Sequence, residues 1–207
     1  AYILDHPEVL PEAMQRLQER EIANRIAPLR AALEAPYPGA VLGNPRGSVV
    51  LVEFADYACP FCRQSVGDVE ALIAANGDLK VVLREDPVLS PESADAARMA
   101  LAAADQGRFP AFHKAMYAQD GVSAQTIAAA ARAAGLDLAE AQAAIAAGKY
   151  ESELENNRRL AATIGFSGTP SWVVGNQGFA GAVGKDALDD AIAQARNEAR
   201  SKDGKTS

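Results

Sequence analysis

The feature that most constrains the fold is an apolar run followed by two cysteines in C-x-x-C spacing. Residues 49–54, Val-Val-Leu-Val-Glu-Phe, predict a buried strand, and residues 59–62 follow as Cys-Pro-Phe-Cys. A segment with helical spacing then continues to the Asn-Gly pair at 76–77. A strand, a C-x-x-C motif and a helix in this order are typical of a thiol–disulfide site. The unpaired N–H groups and positive dipole of the helix start stabilise a thiolate at Cys59, and Pro60 fits the first turn because it has no N–H to satisfy.

Composition and charge narrow the class of protein. The 207 residues suit one domain with an appendage or two small units, and 49% of them are hydrophobic, which supports a sizeable core. The net charge of −7 comes with no basic patch, so we expect no nucleic-acid partner. No apolar stretch approaches the roughly 20 residues of a membrane span, so we expect no membrane insertion. The sequence begins at Ala1 in mid-pattern without a signal peptide, as a processed secreted protein would, and no further cysteine remains for structural bridges.

Residues 1–38 predict an N-terminal helical arm with a Pro- and Gly-rich linker, and the helix start is expected at residues 6–8. Pro28 should break the helix near Ala27, so we expect two pieces. Both could pack on their own domain, or the first could meet copies of itself in a homo-oligomer. Removal of residues 1–38 is then expected to leave a folded monomer. Each piece carries an apolar stripe, and the stripes face different directions: Leu10, Met14 and Leu17 in the first, and Ile22, Ile26, Leu29 and Leu33 in the second.

The rest of the chain predicts an α/β fold in the order βαβ, a helical block and ββα. The strands on either side of the cysteine helix should be parallel neighbours. Asp137 with Glu140 predicts a capping box. The predicted elements are strands at 41–42, 49–54 and 79–84, helices between Ser90 and Gly165, a hairpin over 171–180, and a last helix over about 185–199. The predicted divisions are 39–90 and 163–200 for the two parts of the sheet domain, 91–162 for a helical insertion, and 201–207 for a disordered tail.

Three ordered motifs carry a resemblance to a known family. They are Glu53-Phe54-x-Asp56-Tyr57-x-Cys59-Pro60-Phe61-Cys62, Asp86-Pro87 after the next strand, and Gly168-Thr169-Pro170 before the hairpin. With the order of elements they resemble the DsbA family of periplasmic disulfide oxidoreductases, which implies a thioredoxin-like fold with an inserted all-helical domain. In the arm, Tyr2, Leu4 and the run His6-Pro7-Glu8-Val9 are similar to the N-terminal region of ScsC-type (suppressor of copper sensitivity) proteins. Those proteins resemble DsbA, carry an oligomerising arm, and are associated with disulfide isomerisation and copper tolerance.

The two cysteines are expected to have different roles. Cys59, at the exposed start of the helix, should be the attacking nucleophile, and Cys62 should be the resolving thiol that releases a mixed disulfide. The alternatives are a structural disulfide or half of a zinc site. Zinc needs about four ligands, and the two histidines, His6 and His113, are both far from the pair in sequence. Phe61 cannot donate a hydrogen bond to the thiolate, so we expect a weaker oxidant than DsbA.

Glu53 and the segment before the hairpin supply the other candidate site residues. Glu53 interrupts a buried apolar run, which is costly unless the carboxylate is functional or paired. It is either a proton relay for Cys62 or one half of a buried pair with a lysine. The resemblance implies that Pro170 is a cis-proline facing the disulfide, which presents the backbone of Thr169 to an extended substrate that pairs like an added strand. The predicted substrate-binding residues are Pro60, Phe61, Thr169 and Pro170.

The expected function is a periplasmic thiol–disulfide oxidoreductase that acts mainly as an isomerase and is linked to copper tolerance. The variant is a DsbA-like dithiol oxidase. A different class is a copper-binding protein, because the reduced thiols of Cys59 and Cys62 suit Cu(I). No cofactor is expected to be required. The expected partners are unfolded or misoxidised periplasmic proteins, a membrane-bound thiol reductase, and further copies of the chain in a homotrimer.

Overall fold

Five strands form one mixed sheet in the computed structural model, which describes residue 6 and residues 9–203. The strands are β1 (Val41–Gly43), β2 (Val49–Ala55), β3 (Leu79–Glu85), β4 (Ser171–Val174) and β5 (Gln177–Ala180). Their order across the sheet is β1-β3-β2-β4-β5. The strands β2 and β3 are parallel, as predicted, and the other neighbouring pairs are antiparallel. The βαβ start and the closing hairpin therefore share one sheet.

Nine helices are described in residues 9–203, and they surround this sheet. They are α1 (Val9–Ile26), α2 (Arg30–Glu34), α3 (Pro60–Ala75), α4 (Pro91–Asp105), α5 (Phe109–Tyr117), α6 (Ala124–Ala133), α7 (Leu138–Ala146), α8 (Glu151–Ile164) and α9 (Lys185–Asp203). The helices α4 to α8 lie between β3 and β4 in sequence, so the helical block interrupts the sheet as predicted. The α/β fold with a thioredoxin-like sheet is confirmed. None of the helices in the described part of the chain is long and apolar enough to cross a membrane.

The sheet is buried on both faces, which explains why β2 is an almost continuous apolar run. Leu51 and Ala55 contribute to a core with α3, α4, α5 and α9. Val52 and Phe54 contribute to a second core on the opposite face. Because side chains alternate between faces along a strand, Glu53 points to the same face as Leu51, where α3 packs. The acidic side chain is thus directed toward the helix that carries the cysteines.

The two apolar stripes of the arm differ in burial: the second packs against the sheet domain, whereas the first, which was also expected to be buried, does not. The break at Pro28 is a 3-10 turn over Ala27–Leu29 between α1 and α2. Ile26 and Leu33 have no exposed surface and complete the second core with residues of β2, β3 and α8. The first stripe remains at the surface of the chain, with Leu10 44%, Met14 61% and Leu17 57% exposed. The helix start predicted at residues 6–8 includes residues outside the described part.

A buried arginine, Arg84 on β3, fixes the second piece of the arm to the sheet. Its guanidinium group donates to the main-chain carbonyls of Ala32, Leu33 and Ala35, at the carboxyl end of α2. It also donates at 3.0 Å to Glu153 Oε1 and to Asn157 Oδ1 on α8. The segment from Ile22 to Leu33 therefore belongs to the core of the sheet domain, although it lies inside the predicted arm of residues 1–38. Removal of residues 1–38 would expose this core, so the expected folded monomer needs a shorter deletion.

Two helix boundaries differ from the sequence prediction. The Asp137 carboxylate caps α7 by accepting from Ala139 N and Glu140 N, but the Asp137 N–H donates to Gln106 Oε1 at 2.8 Å, so the predicted reciprocal box with Glu140 does not form. The reciprocal box lies instead at the start of α6, between Ser123 and Thr126. The last helix continues to Asp203, past its predicted end and into the predicted tail, because no glycine or proline interrupts residues 185–203. Residues 204–207 of the tail lie outside the described part.

Candidate active site

The loop between β2 and α3 is held in place by Asp56, which has 1% of its surface exposed. Its carboxylate accepts from Ala58 N at 2.8 Å, and from Val88 N at 2.9 Å and Leu89 N at 3.0 Å in the loop after β3. Its main-chain carbonyl accepts from Cys59 N at 3.0 Å. Asp56 therefore joins two loops and sets the position of the first cysteine. The motif included this residue, but no role was assigned to it, because a buried carboxylate that caps main-chain N–H groups has no spacing signature.

Cys59 is the N-cap residue of α3, with an extended backbone (φ −76°, ψ 119°), and Pro60 is the first helical residue. Both cysteines are free thiols in this structure. The Cys59 thiol donates to the main-chain carbonyl of Thr169 at 3.2 Å. The residue is 4% exposed and Cys62 is 1% exposed. The exposed position predicted for Cys59 is therefore wrong, because Thr169 covers its sulfur from the opposite side of the site.

The Cys62 thiol is held in its protonated form by its surroundings. Burial, and then the nearby Glu53 carboxylate, raise the pKa of Cys62, and the Thr169 hydroxyl lowers it by a smaller amount. A protonated thiol is a poor nucleophile, so Cys62 needs a base before it can attack a mixed disulfide. This arrangement keeps Cys62 inactive until a proton acceptor is available, which suits the resolving role predicted for it.

Glu53 is the acid group in reach of this thiol. It is 4% exposed, and burial raises its pKa to about 8. Among the described residues no lysine or arginine forms an ion pair with Glu53, so a buried pair with a lysine is not what the structure contains. A carboxyl group that titrates near neutral pH can exchange a proton with its surroundings. The burial of Glu53 and its electrostatic effect on Cys62 agree with the proton relay, which remains a prediction.

The peptide bond between Thr169 and Pro170 is cis, as predicted. It immediately precedes β4, whose first residue, Ser171, pairs with Phe54 near the end of β2. This register brings the cis-proline segment beside the cysteines. The Thr169 hydroxyl is buried without a hydrogen-bond partner, although it is close enough to Cys62 to lower the pKa of that thiol. An unused donor next to the sulfur pair is available to a thiolate that forms there.

Two large apolar side chains are exposed around the pair. Phe61 is 58% exposed, one residue before Cys62, and Leu89 is 54% exposed in the loop that Asp56 ties to the cysteine loop. The other exposed large hydrophobic residues in the described chain lie on the arm. Phe61 was among the predicted substrate-binding residues, whereas Leu89 was not. Its sequence context, Pro-Val-Leu before a helix cap, gives no sign that the side chain faces solvent.

The zinc alternative has no support in the described part of the chain. No group of three or more histidine, cysteine, aspartate or glutamate side chains there could hold a metal ion. His113 is buried on α5, and its Nδ1 lies 3.3 Å from the Tyr57 hydroxyl. It is therefore occupied in packing and hydrogen bonding, away from a ligand role.

The site is that of a thioredoxin-like thiol–disulfide oxidoreductase. It contains a free N-cap cysteine, a protonated partner thiol one turn later, a buried acid and a cis-proline segment. The chain belongs to the thioredoxin family, whose model matches residues 37–194. A second model, described as the copper resistance protein ScsC N-terminal domain, matches residues 1–23. The resemblance to DsbA- and ScsC-type proteins is confirmed.

Solved structures agree with this assignment. A thioredoxin-like oxidoreductase from Silicibacter pomeroyi is 39% identical, with a TM-score of 0.77 over 81% of this chain and 98% of that one. The thiol-disulfide exchange protein α-DsbA2 from Wolbachia pipientis is 27% identical, with a TM-score of 0.77 over 86% of this chain and 97% of that one. ScsC from Proteus mirabilis is 23% identical, with a TM-score of 0.75 over 95% of this chain and 93% of that one. At this identity the likeness shows the fold alone.

Curated relatives match in one part of much longer proteins. The Na+/H+ antiporter NhaA 1 of Mycobacterium sp. (strain KMS) is 31% identical over 140 residues, which are 65% of this chain and 23% of the antiporter. The chain spans about a quarter or less of the length of the curated relatives it matches. The similarity therefore concerns one segment of those proteins, and their transport activity is not carried over.

Proposed function

We propose that this chain is a periplasmic disulfide isomerase that works as a homo-oligomer, a trimer in the simplest case, assembled through its N-terminal arm. The observation that carries the proposal is the exposed stripe of Leu10, Met14 and Leu17 on α1, on a chain whose second arm piece is anchored in the catalytic core. Apolar side chains repeated at helical spacing and left uncovered mark a helix that packs on other helices. The match of residues 1–23 to the ScsC N-terminal domain supports the same role.

The reaction begins with the reduced pair. The Cys59 thiolate attacks one sulfur of a wrong client disulfide, forms a Cys59–client disulfide and releases the other client sulfur as a thiolate. That client thiolate, or another one in the client, attacks the mixed disulfide, restores Cys59 and leaves a rearranged client. No net oxidation occurs in this cycle. Holding several reduced sites around one client raises the effective thiol concentration, which short tethers bring to about the millimolar range.

Escape from a stalled complex uses Cys62. Its thiol loses a proton, for which Glu53 is the acceptor, and attacks the sulfur of Cys59. The client leaves as a thiol, the pair becomes a disulfide, and two electrons have moved to the client. A membrane-bound thiol reductase is the partner that would return the pair to the dithiol form. The protonated state of Cys62 delays this escape and gives the client time to rearrange.

The client is held mainly through its backbone. Thr169, which precedes the cis-proline, presents main-chain groups beside the cysteines. An extended client strand can pair with these groups whatever its own sequence is. Phe61 in the C-x-x-C motif and Leu89 in the loop that Asp56 ties to it offer apolar contact to the exposed side chains of an unfolded protein. Unfolded or misoxidised periplasmic proteins are the substrates that such a surface suits.

Isomerisation of a scrambled disulfide substrate, measured together with sedimentation velocity, tests this proposal. The triple variant Leu10→Gln, Met14→Gln, Leu17→Gln should become monomeric and lose isomerase activity while it still oxidises small dithiols and reduces small disulfides. Gln18→Glu on the same exposed helix is the matched control and should change neither property. A full-length chain that is monomeric at micromolar concentration would refute the proposed role of the arm.

Copper binding by the reduced pair is the second candidate function. The observation that favours it is the match of the arm to the copper resistance protein ScsC N-terminal domain. Cys59 and Cys62 are the residues that would hold Cu(I), since soft thiolates suit that ion. The raised pKa of Cys62 opposes this role, because the metal must displace a tightly held proton. Titration of the reduced protein with Cu(I) against a competing chelator, with Cys62→Ser as control, decides between a tight site and none. We further propose that the isomerase activity of the first proposal is linked to copper tolerance, which the match of residues 1–23 to the copper resistance protein ScsC N-terminal domain supports.

A further inference from the structure

A buried cluster of polar side chains lies behind the cysteine pair and takes no part in the reaction described above. Tyr57, Glu85 and His113 come from three different elements, the loop before α3, the end of β3 and the middle of α5. The Tyr57 hydroxyl lies 3.2 Å from Glu85 Oε1 and 3.3 Å from His113 Nδ1. One hydroxyl group thus bridges a carboxyl group and an imidazole in the interior. All three residues are buried, with exposed fractions of 2% for Tyr57, 2% for Glu85 and 7% for His113.

This bridge has two complete hydrogen-bond arrangements. With Glu85 ionised, the Tyr57 O–H donates to the carboxylate, and His113 Nδ1–H donates to the Tyr57 oxygen. With Glu85 protonated, the carboxyl O–H donates to Tyr57, the Tyr57 O–H donates to His113 Nδ1, and the histidine proton is on Nε2. The two arrangements differ by one proton. A proton added at His113 Nε2 and passed along the two hydrogen bonds converts the first into the second.

The bridge is coupled to the cysteines electrostatically, through the charged groups near Glu85. Burial raises the pKa of Glu85 well above its usual range, the hydrogen bond from Tyr57 opposes this by lowering it, and Asp56 and Glu53 raise it by smaller amounts. Burial also lowers the pKa of His113 to about 4, so the imidazole is neutral at physiological pH. The titratable groups that face the bridge are Glu53 on β2, Asp56 in the cysteine loop and Tyr117 on α5, while Asn157 on α8 donates to the Glu85 main-chain carbonyl. Glu53 in turn acts on Cys62.

We propose that Tyr57, Glu85 and His113 form a proton wire that binds one proton at Glu85 when the cysteine pair is reduced and releases it when the pair is oxidised. A dithiol donor gives two electrons and two protons and becomes a disulfide. The sulfur–sulfur bond of the pair breaks and Cys62 receives one proton as a thiol, while Cys59 forms as a thiolate at the helix start, in place of the thiol that donates to the Thr169 carbonyl in this structure. The second proton goes to Glu85 through His113 and Tyr57, and it neutralises a carboxylate as the thiolate charge appears.

Proton counting during reduction tests the wire. The oxidised protein is reduced with a stoichiometric dithiol in weakly buffered solution at neutral pH, and a pH indicator records the protons released. Glu85→Gln, which has no acid to protonate, should release about one more proton per disulfide than the wild type. Tyr57→Phe should do the same, because the carboxylate loses its donor and Glu85 then stays protonated in both redox states. Redox-difference infrared spectra should show the carboxyl band of the reduced wild type, and this band should be lost in Glu85→Gln.

Tyr150→Phe is the matched control. Tyr150 is 1% exposed, and its hydroxyl donates to a carboxylate, Asp105 Oδ2, at 2.8 Å on the far side of the helical block. Its loss should lower stability without changing the proton count. Equal proton counts in the wild type, Glu85→Gln and Tyr57→Phe would overturn the proposal and leave the bridge a packing feature. The same change in Tyr150→Phe would overturn it as well. Either result leaves the thiol–disulfide activity at Cys59 untouched.

Discussion

The second piece of the arm is part of the catalytic core, and the exchange of a single leucine tests this. Leu33 on α2 has no exposed surface and packs with Ile26 in the core on the second face of the sheet. Leu33→Ala removes three buried carbon atoms and leaves a cavity, which costs roughly 2–5 kcal/mol. A domain of this size has about 5–15 kcal/mol of stability, so this one change removes a large share of it. The same chemical change at Leu17, which is 57% exposed, should cost within about 0.5 kcal/mol in the monomer.

Urea unfolding followed by circular dichroism measures both variants, at concentrations where sedimentation shows only the monomer. We expect a much lower midpoint for Leu33→Ala, and a nearly unchanged midpoint for Leu17→Ala. Deletion of residues 1–20 should likewise leave a folded, redox-active catalytic domain, whereas deletion of residues 1–38 should not. If Leu33→Ala unfolds at the wild-type midpoint, the arm is not anchored as the structure has it.

Three further predictions concern the site. Thr169→Val removes an unpartnered hydroxyl, so the free energy of unfolding should stay level or rise by about 1–3 kcal/mol. Mixed disulfides with a client should live longer in this variant, because the pKa of Cys62 rises further. An unchanged lifetime of the mixed disulfide in quenched-flow trapping contradicts this. Burial raises the pKa of Glu53 from 4.5 to about 8, so between these two pH values the folded state holds a proton that the unfolded state has lost. The free energy of unfolding should therefore fall by up to about 1.4 kcal/mol per pH unit as the pH rises through this range. Glu53→Gln should flatten this part of the pH profile, and an unaltered profile excludes Glu53 as its source. Leu89→Ser should raise KM for an unfolded client and leave a small dithiol unaffected, and equal effects on both would remove Leu89 from the client surface.

The sequence allowed most of the scaffold to be predicted because its signals are local. The break at Pro28, the cap at Ser90 and the strands around the cysteine helix depend on residues close together in the chain. The capping box predicted at Asp137 failed because Gln106, from the preceding helical segment, reaches the N–H that Glu140 would have bonded. Competition from a distant side chain is invisible to a pattern of four residues.

The candidate site was predictable in its chemistry and only partly in its surroundings. C-x-x-C spacing and the acid within the buried run identified Cys59, Cys62 and Glu53. The Thr169 carbonyl covers Cys59 because of the register of β4 against β2. These two strands are far apart in the sequence, so a local sequence pattern does not predict their register. For the same reason the bridge of Tyr57, Glu85 and His113 could not be anticipated, because its members meet only in the folded chain.

The role assignment that we propose for the pair is that Cys59 attacks client disulfides and Cys62 resolves the complex. Its most direct test is mass spectrometry of the Cys62→Ser variant after incubation with a scrambled disulfide substrate, with Cys59→Ser treated in parallel. We expect a stable mixed disulfide between Cys59 and a client cysteine in the first variant and no adduct in the second. An adduct through Cys62 in Cys59→Ser, or no adduct in Cys62→Ser, would contradict it.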